Sequence, residues 1–332
     1  DAAAPPTMDE LFADADLQAA AERQRAIQKT AEPETTITDL NARGGRYTLP
    51  NAEGKPATIL EAIDHLKTKA QAYAGPDVAR ERQATIVIGP PASGKSTVSE
   101  VLAKSQRAAI VDPDDAKQII PEYQGGLGAN AVHVESQIMA RAVLSELTEE
   151  GGNLVLPRVA GKPGGLDNLL VDLQKQGYSV KIVRAHVDED EAARRMTDRF
   201  KRTGRLISPD YFRSIGDGPA KVLQELKTKG VQYAEIDLNG PKKTARLIEG
   251  DSGIFAELEA GGFRSIAAGD GQRRQTGGRP RGDARAAGQN TNALGAIFGT
   301  VPDQDGAPSQ NWKAEAEDIG RKIERFEGCV IR

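Results

Sequence analysis

Five short apolar runs punctuate the middle of the chain: ATIVI at 84–88, AAIVD at 108–112, NLVL at 153–156, VKIVRAHV at 180–187 and YAEIDL at 233–238. Between them apolar residues recur at helical spacing, as in Val98, Val101 and Leu102, or Val143, Leu144 and Leu147. Strand-length runs alternating with amphipathic helices predict βαβ units and a parallel sheet covered on both faces. The fold class expected is therefore a doubly wound α/β domain. Upstream, residues 1–80 read as helix, loop and helix. ELFADADLQAAAERQRAIQK is rich in helix formers, ARGGRYTLPNAEGKPA reads as a turn-rich hairpin, and Ile59, Leu60, Ile63 and Leu66 share one helical face. From about residue 264 the pattern stops. RSIAAGDGQRRQTGGRPRGDARAAGQNTNALG has little to bury and reads as a flexible arm, followed by a terminal helix over 311–327. The division expected is a helical extension over 1–57, an α/β domain over 58–262 and a Gly/Arg-rich arm over 263–332.

Composition narrows the function classes. With 332 residues, 38% hydrophobic and 28% charged, the chain can bury one or two cores, and aromatics at 4% predict an aliphatic interior. A net charge of −4 argues against nucleic acid as the partner of the whole protein. The single cysteine, Cys329, excludes a disulfide framework and a cysteine zinc cluster and suits a reducing, cytoplasmic setting. No apolar run approaches the roughly 20 residues of a membrane helix. The acidic N-terminus lacks the order of a signal peptide, and its first residue, Asp1 rather than Met, reads as a piece excised from a longer chain.

The chemistry begins behind the first strand. Gly89, Pro90, Pro91, Ala92, Ser93, Gly94, Lys95, Ser96 and Thr97 satisfy G-x-x-x-x-G-K-[ST] in a strand-to-helix context. Backbone N–H groups of such a loop form a nest around an anion, and the following helix adds its positive end. Lys95 supplies a charge for the β- and γ-phosphates of ATP, and Ser96 a hydroxyl for Mg²⁺. There is no guanine-type N-K-x-D motif, and no apolar strand ends in paired acids as in a motor ATPase. The kinase branch of the P-loop proteins remains. Asp112 and Asp114 follow the second strand, where a carboxylate would stand beside the loop. Asp114 can accept a hydroxyl proton and Asp112 can contribute to the metal, or either can simply cap the next helix; spacing does not separate these readings. Over 188–211 a helix carries Arg195, Arg199 and Arg202 on one face, and TGR then presents Arg205 from a loop. Fixed cations there suit the charge that spreads over a transferring phosphoryl group, although a solvated basic face has the same pattern.

GPPASGKST, VDPDDAKQIIPEY, HVESQIMARAVLSELTEEGGNLVLP, QKQGYSVKIV and RMTDRFKRTGRLISPDY, in that order over about residues 58–240, resemble the zeta toxin family of P-loop kinases. The resemblance implies a polynucleotide-kinase-like domain around a five-stranded parallel sheet. It also implies transfer of the ATP γ-phosphate to the sugar 3′-hydroxyl of UDP-N-acetylglucosamine. Matched position by position it implies Lys95 as the loop lysine, Asp114 as the base, and Arg199 and Arg205 as contacts to the phosphates. The chain departs from the family on the acceptor side. LPRVAGKPGG stands at 156–165 in place of an acidic residue and GT, and Arg141 stands near the family's acidic acceptor-binding position. His133 and Glu135 can supply polar contacts to an acceptor or cap their helix, and Lys162 can meet a substrate phosphate or lie in a surface turn. Other acceptors left open are NAD, an antibiotic or a nucleic-acid end, the last favoured by the arginines of 264–285 but disfavoured by the scarcity of aromatics. A non-catalytic nucleotide-binding module of a larger protein is the remaining alternative. The resemblance further implies an antitoxin that covers the ATP site; residues 9–30 could act so in cis, or serve as an ordinary packing helix.

Overall fold

The computed structural model describes residues 5–27 and 37–265. The expected arm and the helix at 311–327 lie outside the described residues, apart from the first positions of the arm. The single expected N-terminal helix is two, α1 (Met8–Phe12) and α2 (Ala15–Ile27). Asp14 divides them, because its carboxylate accepts the N–H groups of Asp16 and Leu17 and so starts the second helix. Then come α3 (Ile37–Ala42), the small hairpin β1 (Tyr47–Pro50) and β2 (Pro56–Ala57), and α4 (Ile59–Ala72), opened by a Thr58–Glu61 capping box.

The alternating region follows as β3 (Gln83–Ile88), α5 (Lys95–Ser105), β4 (Ala109–Ile110), α6 (Pro113–Ile119), α7 (His133–Glu149), β5 (Leu154–Arg158), α8 (Asp167–Lys175), β6 (Ser179–His186), α9 (Glu189–Thr203), α10 (Pro209–Ile215), α11 (Gly218–Thr228) and β7 (Gln232–Asp237). All five expected strands are present and parallel, in the order β4-β5-β3-β6-β7. The sheet is wider than expected. β8 (Thr244–Gly250) adds antiparallel to β7, α12 (Ser252–Ala260) follows it, and β9 (Arg264–Ser265) pairs with β8. The five parallel strands coincide with the apolar runs, whereas β8, paired with β9 only at Thr244 and Ala245, is exposed over its second half, where its outer side is an edge.

Each face of the sheet carries its own core. Ile86, Ile88, Leu154, Leu156 and Ile182 face α4, α7, α8 and α11, through side chains such as Ile63, Met139, Leu170 and Leu223. Val87, Val155 and Val183 face α5 and α12, through Val98, Leu102, Ile254 and Leu258. The alternation of neighbouring residues between the two clusters is the period-2 pattern of strands covered on both sides. Leu40, Tyr47 and Ala57 of the N-terminal region pack into the first of these cores. α1 and α2 lie elsewhere, against α9 and α10. Phe12, Leu17 and Ala20 share a third cluster with Val187, Met196 and Phe212, and the Phe12 and Phe212 rings meet edge to face at 5.8 Å. No helix among the described residues is long and apolar enough to cross a membrane.

Candidate active site

The carboxyl ends of the parallel strands carry the polar residues. β3 runs out at Ile88 into the loop 89–94, and α5 begins at Lys95 with Gly94 as its N-cap in the left-handed region (φ 94°). Gly89 is required by space: a Cβ there would stand 2.6 Å from the Ala185 carbonyl oxygen and 2.8 Å from Ser93 Oγ. Ala92 also adopts a left-handed φ of 61°, a strained choice for a side-chain-bearing residue. The Ser93 hydroxyl is buried without a hydrogen-bond partner among the described residues. A loop that admits no Cβ at Gly89 and ends on a helix N-terminus fits a nucleotide phosphate chain. The Lys95 ammonium donates to the carbonyls of Gly89 (2.8 Å) and Pro90 (2.6 Å), so its stem folds back along the loop. Burial lowers its pKa to about 8, with Asp112 and Asp114 opposing the shift. Ser96 is exposed in the first turn of α5, and Thr97 follows it half-buried.

The two aspartates divide their work. Asp112 is the N-cap of α6, its Oδ1 accepting the Asp114 N–H at 2.9 Å. Burial, with the charge of Asp114, raises the Asp112 pKa to about 6. Burial would raise Asp114 too, but Lys117 and Arg205 outweigh it and hold its carboxyl below the usual range. Lys117 Nζ reaches Asp114 Oδ1 at 3.0 Å and Arg205 Nη2 reaches Oδ2 at 2.6 Å. Lys117, one turn after Asp114 on α6, was not singled out from the sequence, although an i,i+3 acid–base pair is a helical signal.

The arginines of α9 and its following loop do different things. Acids fill the helix's first turn, basic residues its last, and Gly204 ends it at φ 71°. Arg195 is occupied structurally, donating to Glu191 and to the carbonyls of Leu238 and Gly240. Arg205 is turned onto Asp114. Arg199 has no hydrogen-bond or ion-pair partner among the described residues; burial, together with Arg205, depresses its pKa, while Tyr123 and Asp114 oppose this. Arg202 is exposed.

On the acceptor side the expected residues separate. His133 begins α7 and Arg141 lies about two turns along it, both exposed. Desolvation, then Lys117, lower the His133 pKa; Asp114 opposes them and Arg141 adds a smaller lowering effect. Glu135 faces away from this group. Its carboxylate accepts two bonds from Arg46 Nη1, at 2.6 and 2.8 Å, and one from the Tyr47 hydroxyl at 2.7 Å, so it neither caps α7 nor stands beside Asp114. Lys162 is exposed in the turn before α8, away from the loop lysine. Arg158, the last residue of β5, is the functional candidate missed in the sequence. It pairs in register with Ile88, the residue before Gly89, and its Nη1 donates to the carbonyls of Val111 and Pro157. The signal was available: LPR closes a strand whose carboxyl end opens onto the crevice.

Met8 and Leu11 of α1 pack around the same apolar cluster as Ala92 of the loop. The segment 9–30, read from the sequence either as cis-acting or as an ordinary packing helix, is over its described residues a packing element that shares an apolar cluster with Ala92 of the loop.

A sequence-family model described as Zeta toxin matches residues 64–252. No curated protein matches the chain. Among solved structures a chain from the PezAT chromosomal toxin–antitoxin system of Streptococcus pneumoniae aligns with a TM-score of 0.48 and 12% identity, over 61% of this chain and 93% of that one. A Chloroflexus aurantiacus protein provisionally assigned as a kinase aligns at 0.37 and 18%, over 55% and 95%. The AvrRxo1-ORF1:-ORF2 structure with ATP aligns at 0.34 and 14%, over 54% and 62%.

Proposed function

The chain belongs to the zeta toxin family, and on that premise we propose that it is an ATP-dependent kinase of a small-molecule hydroxyl, with a nucleotide sugar of the UDP-N-acetylglucosamine type as acceptor. The observation that carries the reading is the convergence of Lys95, Asp112, Asp114, Arg199 and Arg205 at the carboxyl ends of β3 and β4. Bound ATP–Mg²⁺ would supply the transferable phosphoryl group and neutralise part of its charge. The loop 89–97 holds the phosphates with backbone N–H groups, and Lys95 leaves the Gly89 and Pro90 carbonyls to pair with them. Ser96 and Asp112 offer the hydroxyl and carboxylate oxygens that a hard cation takes.

Asp114, ionised at neutral pH, orients the acceptor hydroxyl and takes its proton as the new oxygen–phosphorus bond forms and the bond to the leaving diphosphate breaks. A loose transition state asks for positioning more than for a strong base, so a depressed pKa is compatible with this role. Arg205 keeps the carboxylate aimed, and Arg199 is free to turn to the equatorial oxygens. A protein partner that covers the nucleotide crevice is part of the same proposal, as is a cytoplasmic setting.

The test is transfer of label from γ-labelled ATP to a panel of UDP-sugars, NAD and oligonucleotide ends. Label in UDP-N-acetylglucosamine is the expected result. Asp114→Ala should lower transfer by about 10²–10⁴ while leaving ATP binding near that of the parent. ATP binding without transfer to any acceptor would overturn the kinase reading, and label on oligonucleotide ends would overturn the acceptor.

A further inference from the structure

The strands that frame the crevice place a guanidinium at its centre. β5 lies between β3 and β4, so Arg158 stands beside both the start of the phosphate loop, through Ile88, and the Val111–Asp112 turn, through Val111. Its neighbours on the face toward α7 are cationic. Arg158 is close enough to Arg141 for the two charges to oppose each other, and to Asp112 for attraction. His133 lies within reach of Lys117 and Arg141. Only Nη1 of Arg158 is engaged, with backbone carbonyls; its Nε and Nη2 have no partner among the described residues.

A count of charges shows what is missing. Lys95, Lys117, Arg141, Arg158, Arg199 and Arg205 surround two carboxylates, Asp112 and Asp114, while the neighbouring Asp115 is paired with Lys69. Four positive charges are left over, and ATP–Mg²⁺ would bring about −2. The remaining excess, Arg158 with Arg141, lies on the α7 side of the sheet. A neutral acceptor would leave Arg158 partly desolvated with its Nε and Nη2 unpaired, which is costly, whereas an oxyanion would meet it in the bidentate geometry that guanidinium favours.

We propose that Arg158, with Arg141 beside it, forms an oxyanion subsite that selects acceptors carrying a phosphate group of their own next to the hydroxyl that is phosphorylated. This rests on the kinase reading above and makes Arg158 a specificity-determining residue.

The experiment is calorimetric titration of inorganic pyrophosphate into the full chain saturated with the ATP analogue AMPPNP and Mg²⁺, so that the loop is filled first. The parent should bind pyrophosphate at one additional site and should not bind uncharged N-acetylglucosamine comparably. Arg158→Gln should weaken pyrophosphate by about tenfold or more, the range for a lost charge-assisted bond, with Arg158→Lys in between. Arg141→Gln, on an exposed helix position, gives a second reading if Arg158→Gln fails to fold. AMPPNP affinity should stay within about twofold of the parent in each variant, which a general loss of structure would not allow. No pyrophosphate binding to the loaded parent, or binding undiminished in both variants, overturns the subsite. Failure of AMPPNP itself to bind would sink the kinase reading instead, and the difference in pyrophosphate affinity between the unloaded parent and unloaded Arg158→Gln would then still read Arg158.

Discussion

Glu135 invites the sharpest stability experiment, because its residue type and place on α7 suit a substrate contact and its surroundings do not. Its side chain is 11% exposed and is held by Arg46, itself 17% exposed, and by the fully buried Tyr47. Burial together with this carboxylate pushes the Tyr47 phenol far above its ordinary pKa, so the hydroxyl is a fixed donor. Arg46→Ala removes two of the three bonds to Glu135 and strands a buried anion. Breaking a buried pair from one side costs about 3–5 kcal/mol, and the surviving Tyr47 bond places this case near 3 kcal/mol. In urea denaturation that is a midpoint lower by roughly 1–1.5 M at unchanged slope. Glu135→Gln/Arg46→Ala should recover part of the loss, since the stranded charge is gone, while Tyr47→Phe alone should cost about 1 kcal/mol. Glu135→Gln should leave the KM for the acceptor unchanged. A loss under about 1 kcal/mol for Arg46→Ala, together with a raised KM for Glu135→Gln, would refute the structural role and return Glu135 to the acceptor.

Three further outcomes follow from the crevice. Lys95 must be charged to hold phosphate and its pKa is lowered to about 8, so ADP affinity should fall about tenfold between pH 7 and 9, whereas Lys95→Arg should bind with little pH dependence. Asp112, raised to about 6, sets the opposite limb: kcat/KM should decline as pH drops through 6, giving a bell-shaped profile, and a flat profile from pH 5 to 9 would contradict both assignments. Gly89→Ala forces a methyl group to within 2.6 Å of the Ala185 carbonyl, so β3 and β6 must part; expected are a loss of about 1–3 kcal/mol in thermal unfolding and loss of nucleotide binding.

What was legible in the sequence was local. The inner strands announced themselves because residues such as Val87 and Ile88 are buried on opposite faces and the whole run must be apolar. The phosphate loop was legible because its glycines, lysine and hydroxyls fall at fixed spacing within nine residues, although the space that demands Gly89 is set in part by Ala185, far along the chain. β8 escaped because an edge strand with Ile248 exposed needs no continuous apolar run. The N-terminal helix was read as one piece because Asp14, an ordinary surface residue in composition, acts through a cap. From spacing alone the roles of Asp112 and Asp114 stayed open, because both fit a cap and only their partners differ; the base role of Asp114 came from the family resemblance. Those partners are distant in the chain: Arg205 is 91 residues from Asp114, and Arg46 is 89 from Glu135. Periodicity carries no information about pairs at such separations.

The pairing of α1 with α9 and α10 has a consequence in time. Met8 donates to Asp190 across 182 positions and Arg213 reaches back to Asp9 across 204, so the first described segment is completed by some of the later ones. During synthesis at ordinary rates Phe12 and Leu17 would wait about 10–40 s for Met196 and Phe212 to emerge. For that interval the nascent chain carries an apolar helix pair with nothing to cover it, and the helix bearing Arg199 cannot be docked. The rim of the crevice can thus close once α9 and α10 are made, while each face of the sheet still waits for a later covering helix, α11 on one side and α12 on the other.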